Sequence, residues 1–106
     1  SYSDFEVEIS DNDLHIAESA TKTVRLRLSH DPKKDVAVQV RHFSGNPALF
    51  VKTGASLQFD SANWDQWQTV ELGAKRHAKS ALSGATFRIE MDAHPVVREL
   101  FTFVTE

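Results

Sequence analysis

Two tryptophans and a set of arginines and lysines are the side chains in this sequence best suited to chemistry. Trp64 and Trp67 fall in a turn-forming run, Asp-Ser-Ala-Asn-Trp-Asp-Gln-Trp-Gln, over residues 60–68. An exposed indole can stack on the apolar face of a sugar ring, whereas a buried one fills a core. Arg25, Arg27, Arg41 and Arg88 each alternate with apolar neighbours, and Lys75, Arg76 and Lys79 cluster in one stretch. Arginine grips carboxylate or sulfate in a planar, two-pronged fashion, so such a basic face beside Trp67 suits a polysaccharide, anionic ones included. The competing reading is a solvated face on which Glu71 and Glu90 pair with the arginines, each pair worth about 0 to 1 kcal/mol.

Catalytic patterns are missing. The five histidines, His15, His30, His42, His77 and His94, are scattered, with none at the spacing of paired metal ligands. No serine sits in a Gly-x-Ser-x-Gly elbow. Carboxylate pairs such as Glu6 with Glu8, or Asp11 with Asp13, occur on an exposed strand face or a turn, where nothing separates their pKa values as acid–base work demands. The chain is therefore read as non-enzymatic, with no cofactor.

The elements that must position these residues are strands. Phe5, Val7 and Ile9 alternate with Glu6 and Glu8; Val24, Leu26 and Leu28 with Arg25 and Arg27; Val36, Val38 and Val40 with Gln39 and Arg41; Phe87, Ile89 and Met91 with Arg88 and Glu90. A period of two puts the apolar set on one face and the charged set on the other. Leu57 and Phe59 precede the tryptophan turn, and Val70 and Leu72 follow it. Counting back from Val70 and Leu72 as inward, Trp67 points outward and Trp64 inward, as a plug for the end of the core. For Trp67 the alternative to stacking is a lid over the sandwich edge.

Turn formers punctuate the strands at Pro32, at Ser44-Gly45-Asn46-Pro47 and at His94-Pro95, while residues 75–84 read as a long basic loop. Leu100 to Val104 reads as a last strand rich in aromatic and β-branched residues. About 7 or 8 short strands without a helical period predict an all-β, two-sheet sandwich of immunoglobulin-like kind. A closed barrel is the alternative, disfavoured because the apolar sets are one-sided and suit two facing sheets.

Composition sets the outer bounds. The 106 residues make one domain, 1–106, able to bury roughly 60 to 70% of its unfolded surface. A net charge of -3 gives no global field for nucleic acid or an anionic membrane, and no apolar run approaches the ~20 residues of a spanning helix. The chain has no cysteine, so disulfides and thiol chemistry are excluded. It opens at Ser1 without a methionine and both ends are strand-like, so it is expected to be a module cut from a larger multidomain protein. Pro32, Lys33, Lys34 and Pro95 look like protection for sheet edges, so a monomer is expected.

Glu18, the run Val24-Arg25-Leu26-Arg27-Leu28-Ser29, Pro32, Asp35-Val36, Gly54-Ala55-Ser56-Leu57, Phe59, Asn63-Trp64 and Gln68-Thr69-Val70 give the order and spacing of a Calx-beta-like sandwich. The chain resembles the version that recurs as an accessory module in large secreted bacterial proteins, polysaccharide-degrading enzymes and adhesins among them. That resemblance implies an extracellular, non-catalytic module of linking, calcium-binding or carbohydrate-binding type. Two departures matter. Where calcium-binding members carry acidic residues after the strand at 68–74, this chain has Lys75, Arg76, His77 and Lys79, which oppose an ion needing 6 to 8 oxygen ligands. No metal site is therefore expected, the acidic turn Asp11-Asn12-Asp13 included. Trp67 stands where the family more often has a small residue or proline.

Two functional readings follow. One is a structural or docking module of a larger secreted protein, a polysaccharide-active enzyme in the leading case, whose partners are neighbouring domains of the same polypeptide. The other is a carbohydrate-binding module using Trp67, Arg25, Arg27, Arg41, Lys75, Arg76 and Lys79. The first is ranked slightly ahead, because every candidate ligand residue also has an adequate structural role.

Overall fold

Alternation in the sequence becomes two stacked sheets. The computed structural model describes residues 5–80, 83–91 and 94–105, with the backbone alone at Ser80 and at 94–97. Its nine strands are β1 (Val7–Ile9), β2 (Asp13–Ala17), β3 (Thr21–Leu28), β4 (Val36–Gly45), β5 (Leu49–Thr53), β6 (Ser56–Phe59), β7 (Gln68–Ala74), β8 (Gly84–Met91) and β9 (His94–Thr105). A four-stranded sheet has the order β1-β3-β7-β5 and a five-stranded sheet the order β2-β9-β8-β4-β6. All pairings are antiparallel except β2 with β9, which run parallel. The molecule is an all-β, two-sheet structure of β-sandwich character.

The core is the sum of the inward parities. Val24, Leu26 and Leu28 on β3, Val70 and Leu72 on β7, Val38 on β4, Phe87 and Ile89 on β8 and Leu100 on β9 are almost wholly buried and belong to one continuous cluster. Each such side chain contributes about 1.5–3 kcal/mol relative to exposure. Register is fixed by the same burial: sliding β3 by one residue against β7 would turn Arg25 and Arg27 into the core and Leu26 into water.

Several expectations change. The described residues form nine strands, not about 7 or 8, because segments as short as the three residues of β1 are still paired. His94 and Pro95 do not turn the chain but open β9. The backbone tolerates a proline there because β2 pairs only with 101–105, leaving the first half of β9 bonded on one side. The edge strands are β1, β5, β2 and β6; Pro95 lies on the first half of β9, whose outer side has no strand partner among the described residues, so it stands at a locally open edge, whereas Pro32, Lys33 and Lys34 lie in the β3–β4 connection and not on an edge strand. Pro32 is itself buried. The basic loop is part structured, with a 3-10 turn at Ala78–Ser80 whose Ala78 reaches the core.

Candidate functional site

The turn carrying the tryptophans is built like a capped helix start. The Asp60 carboxylate accepts the backbone N–H groups of Ala62 at 2.8 Å and Asn63 at 3.1 Å, and Asn63 Oδ1 accepts the N–H of Asp60 at 2.7 Å. This reciprocal arrangement is a capping box. The Trp64 N–H then closes on the Asp60 carbonyl at 3.0 Å, and the Trp64 carbonyl takes the Leu28 N–H at 2.9 Å, tying the turn to the end of β3. Trp64 is half-buried against the core, so it packs as the parity count implies without being sealed in.

Trp67 emerges just before β7 on the outer face of the four-stranded sheet, 37% exposed. The guanidinium carbon of Arg27 lies 4.3 Å from its ring centroid and that of Arg25 lies 5.6 Å away. Exposed contacts of this kind are worth about 0.5–1 kcal/mol. Arg27 is held from its other side, its Nε donating to Glu8 Oε1 at 2.9 Å across the β1–β3 pair. Arg25 has no carboxylate partner among the described residues. One arginine is thus committed to supporting the indole, and the other remains available.

The remaining predicted cations lie elsewhere. Arg41 is on the outer face of the five-stranded sheet, donating from Nε and a terminal nitrogen to the two oxygens of Glu90 at 2.8 and 3.0 Å. Those bonds hold the Glu90 carboxyl below the usual carboxylate range and raise the Arg41 guanidinium. Lys75, Arg76 and Lys79 are exposed beyond the far end of β7, separated from Trp67 by its seven residues, about 23 Å of strand. Only Trp67, Arg25 and Arg27 are brought together, so the basic residues form three separate places. Glu90 pairs with Arg41 as the solvated-face reading holds, whereas Glu71 takes the hydroxyl of Thr53 at 3.2 Å.

Sequence reasoning missed the aromatics of the other sheet. Phe43, Phe101 and Phe103 are about as exposed as Trp67, and all lie on the outer face of the five-stranded sheet. The Phe103 ring lies over Gly84, which has no side chain to cover its own backbone, and stacks on His15 at 5.2 Å. The Arg88 guanidinium sits 3.4 Å from the centroid of Phe43, with its Nε 3.4 Å from Glu99 Oε2. A shallow groove runs between, lined by Ser44, Gly45, Gly84, Thr86, Phe101 and Phe103. The signal was present: with Leu100, Thr102 and Val104 taking the inward side, Phe101 and Phe103 can only face out.

Among the described residues no three of His, Asp or Glu converge as metal ligands would. Among the described residues, the carboxyls with displaced pKa values, Asp31 and Glu90, are both lowered by hydrogen bonds, the opposite of what a general acid at neutral pH requires. Compared with protein-family models and with curated proteins, the chain matches none.

Proposed function

We propose that this chain is a non-catalytic docking module of a larger secreted protein, of immunoglobulin-like, Calx-beta-like kind, and that the larger protein acts on polysaccharide. The observation that carries the docking reading is the outer face of the five-stranded sheet. Among the described residues, three of the four exposed large apolar side chains, Phe43, Phe101 and Phe103, gather there, bordered by the ion pairs Arg41–Glu90 and Arg88–Glu99. An apolar centre with a closed-charge border is the anatomy of a contact surface. A neighbouring domain on the same polypeptide suits it, since tethering supplies an effective concentration that a small patch lacks in free solution. The test compares the melting of the isolated domain with its melting inside the full-length protein. A docked face gives a higher transition in the full-length protein, and Phe101→Ser removes that gain while leaving the isolated domain folded. Identical transitions in both settings refute docking.

A second reading, carbohydrate binding, is favoured by a separate observation: Trp67 is exposed and meets Arg25 and Arg27 on the opposite face of the molecule. The two readings use different sheets and are compatible.

A further inference from the structure

We propose that an uncharged polysaccharide chain lies along β7 on the outer face of the four-stranded sheet, from Trp67 at one end to Phe50 at the other. The proposal rests on the carbohydrate reading and adds the class, direction and length of the ligand. Outward positions along β7 are Trp67, Thr69, Glu71 and Gly73, and their cross-strand partners on β3 include Arg25 opposite Thr69, Thr23 opposite Glu71 and Thr21 opposite Gly73. Thr69, Thr23 and Thr21 are exposed. At the far end Phe50 pairs with Gly73 and lays its ring over it, so closely that a Cβ on Gly73 would meet the ring at 2.7 Å. The track therefore reads aromatic, hydroxyl, hydroxyl, aromatic, and six residues of strand make it about 20 Å long.

Charge decides the class. Arg27 is neutralised by Glu8. On β7 and its β3 partners what remains is one guanidinium, Arg25, and one carboxylate, Glu71, two positions further along β7, while the exposed Lys52 lies in the β5 bulge next to Glu71's partner Thr53. A polyanion gains at Arg25 what it loses at Glu71, and the other cations expected to hold an anionic chain sit on the opposite sheet or beyond the end of β7. For sugar hydroxyls the same pair is one donor group and one acceptor group. Thr53 occupies only one oxygen of Glu71, leaving the other to accept. A peptide strand is a poorer occupant, because β7 is hydrogen-bonded on both sides, to β3 and β5, and offers no free backbone edge. The indole is already held by Arg27, so little of its freedom is lost on binding.

The experiment is calorimetric titration of the protein with soluble neutral polysaccharides (xylan, galactomannan, mixed-linkage glucan) and with polygalacturonate, at low and high salt. It is repeated with Trp67→Ala and with Thr69→Val, which keeps a β-branched side chain in the strand. The expected result is binding to a neutral polymer that is insensitive to salt and rises with oligosaccharide length until about 20 Å is spanned. Each variant weakens it about ten-fold or more while the domain stays folded, with a cooperative melt shifted by no more than a few degrees. Binding confined to polygalacturonate and weakened by salt overturns the uncharged class while the carbohydrate reading stands. Neutral binding unchanged in both variants overturns the β7 track alone. Binding to none of the polymers removes the carbohydrate reading together with this proposal.

Discussion

Trp64 and Trp67 have different neighbours and should respond differently to deletion. Trp64 packs against the core, and its turn is bonded to β3, so Trp64→Ala is expected to cost about 2 to 4 kcal/mol, short of the ~3–5 kcal/mol of a fully buried aromatic. Trp67 is exposed and loses only its arginine contacts, so Trp67→Ala should cost about 1 kcal/mol or less. Urea midpoints at constant slope measure both, and equal costs would make Trp67 a core residue. Two carboxyls contribute to the acid response. Asp31 is lowered by the Ser61 hydroxyl and the Lys33 N–H, and Glu90 by the Arg41 guanidinium. A folded pKa below the unfolded one contributes stability above the unfolded value, lost as pH falls through the folded value. The melting temperature should therefore hold from neutral pH to about 5 and decline below about 4, where carboxylates protonate. Both groups are partly exposed, so the decline from these two is modest, and the double variant Asp31→Asn with Glu90→Gln should remove their share of it. An unchanged slope in that variant would assign the acid response to other groups.

Among the elements, the crossing from β4 to β5 differs most from its sequence signature. Ser44-Gly45-Asn46-Pro47 reads as a solvent turn, yet Asn46 is completely buried. Its Nδ2 donates to the Ala78 carbonyl at 2.8 Å, its Oδ1 accepts the Ala48 N–H at 2.9 Å, and its own N–H reaches the Gly84 carbonyl at 2.8 Å. The side chain thus clasps the β7–β8 connection to the start of β5, where the chain passes from one sheet to the other. Asn46→Ala strands a buried carbonyl and a partly buried N–H at about 1–3 kcal/mol each, so a loss of roughly 2–6 kcal/mol is expected. A thermal melt within a degree of the unsubstituted protein would show that water replaces the clasp. The contrast marks what could be read from sequence. Inward and outward faces were legible at Val24 through Leu28 and at Trp67, because a period of two is local information. Asn46, the parallel pairing of β2 with β9, and the split between Arg25 and Arg41 depend on which strands become neighbours. One-dimensional spacing does not carry that. Arg25 and Arg41 have the same outward parity, and only sheet assignment separates them.

At the scale of the whole molecule, a long sandwich of 46 × 22 × 17 Å presents two outer faces with different surfaces, and self-association tests how each is protected. Edge-to-edge pairing is limited at three of the four edge strands: β1 has three residues, β6 has four, and β5 shifts register between Val51 and Thr53, around the exposed Lys52, while β2 has five. Short and irregular edges are poor templates for another chain. Among the described residues, the apolar patch best suited to face-to-face pairing is Phe43, Phe101 and Phe103. At about 40% exposure each, these rings offer on the order of 250 Å², well below the ~800 Å² per partner of a stable interface. Burying that area on both protomers gives roughly 12 kcal/mol. Set against an association cost of about 4–15 kcal/mol, only the low end of that range leaves the ~8 kcal/mol of a micromolar dimer. We therefore expect sedimentation velocity to show a monomer throughout the micromolar range. The docking and monomer expectations are consistent, because the same patch that is too small to hold a free copy can hold a tethered domain whose effective concentration is millimolar. A dimer at micromolar concentration that disappears on Phe101→Ser would instead make the phenylalanine face a self-association surface, while a dimer that survives it would point to a sheet edge.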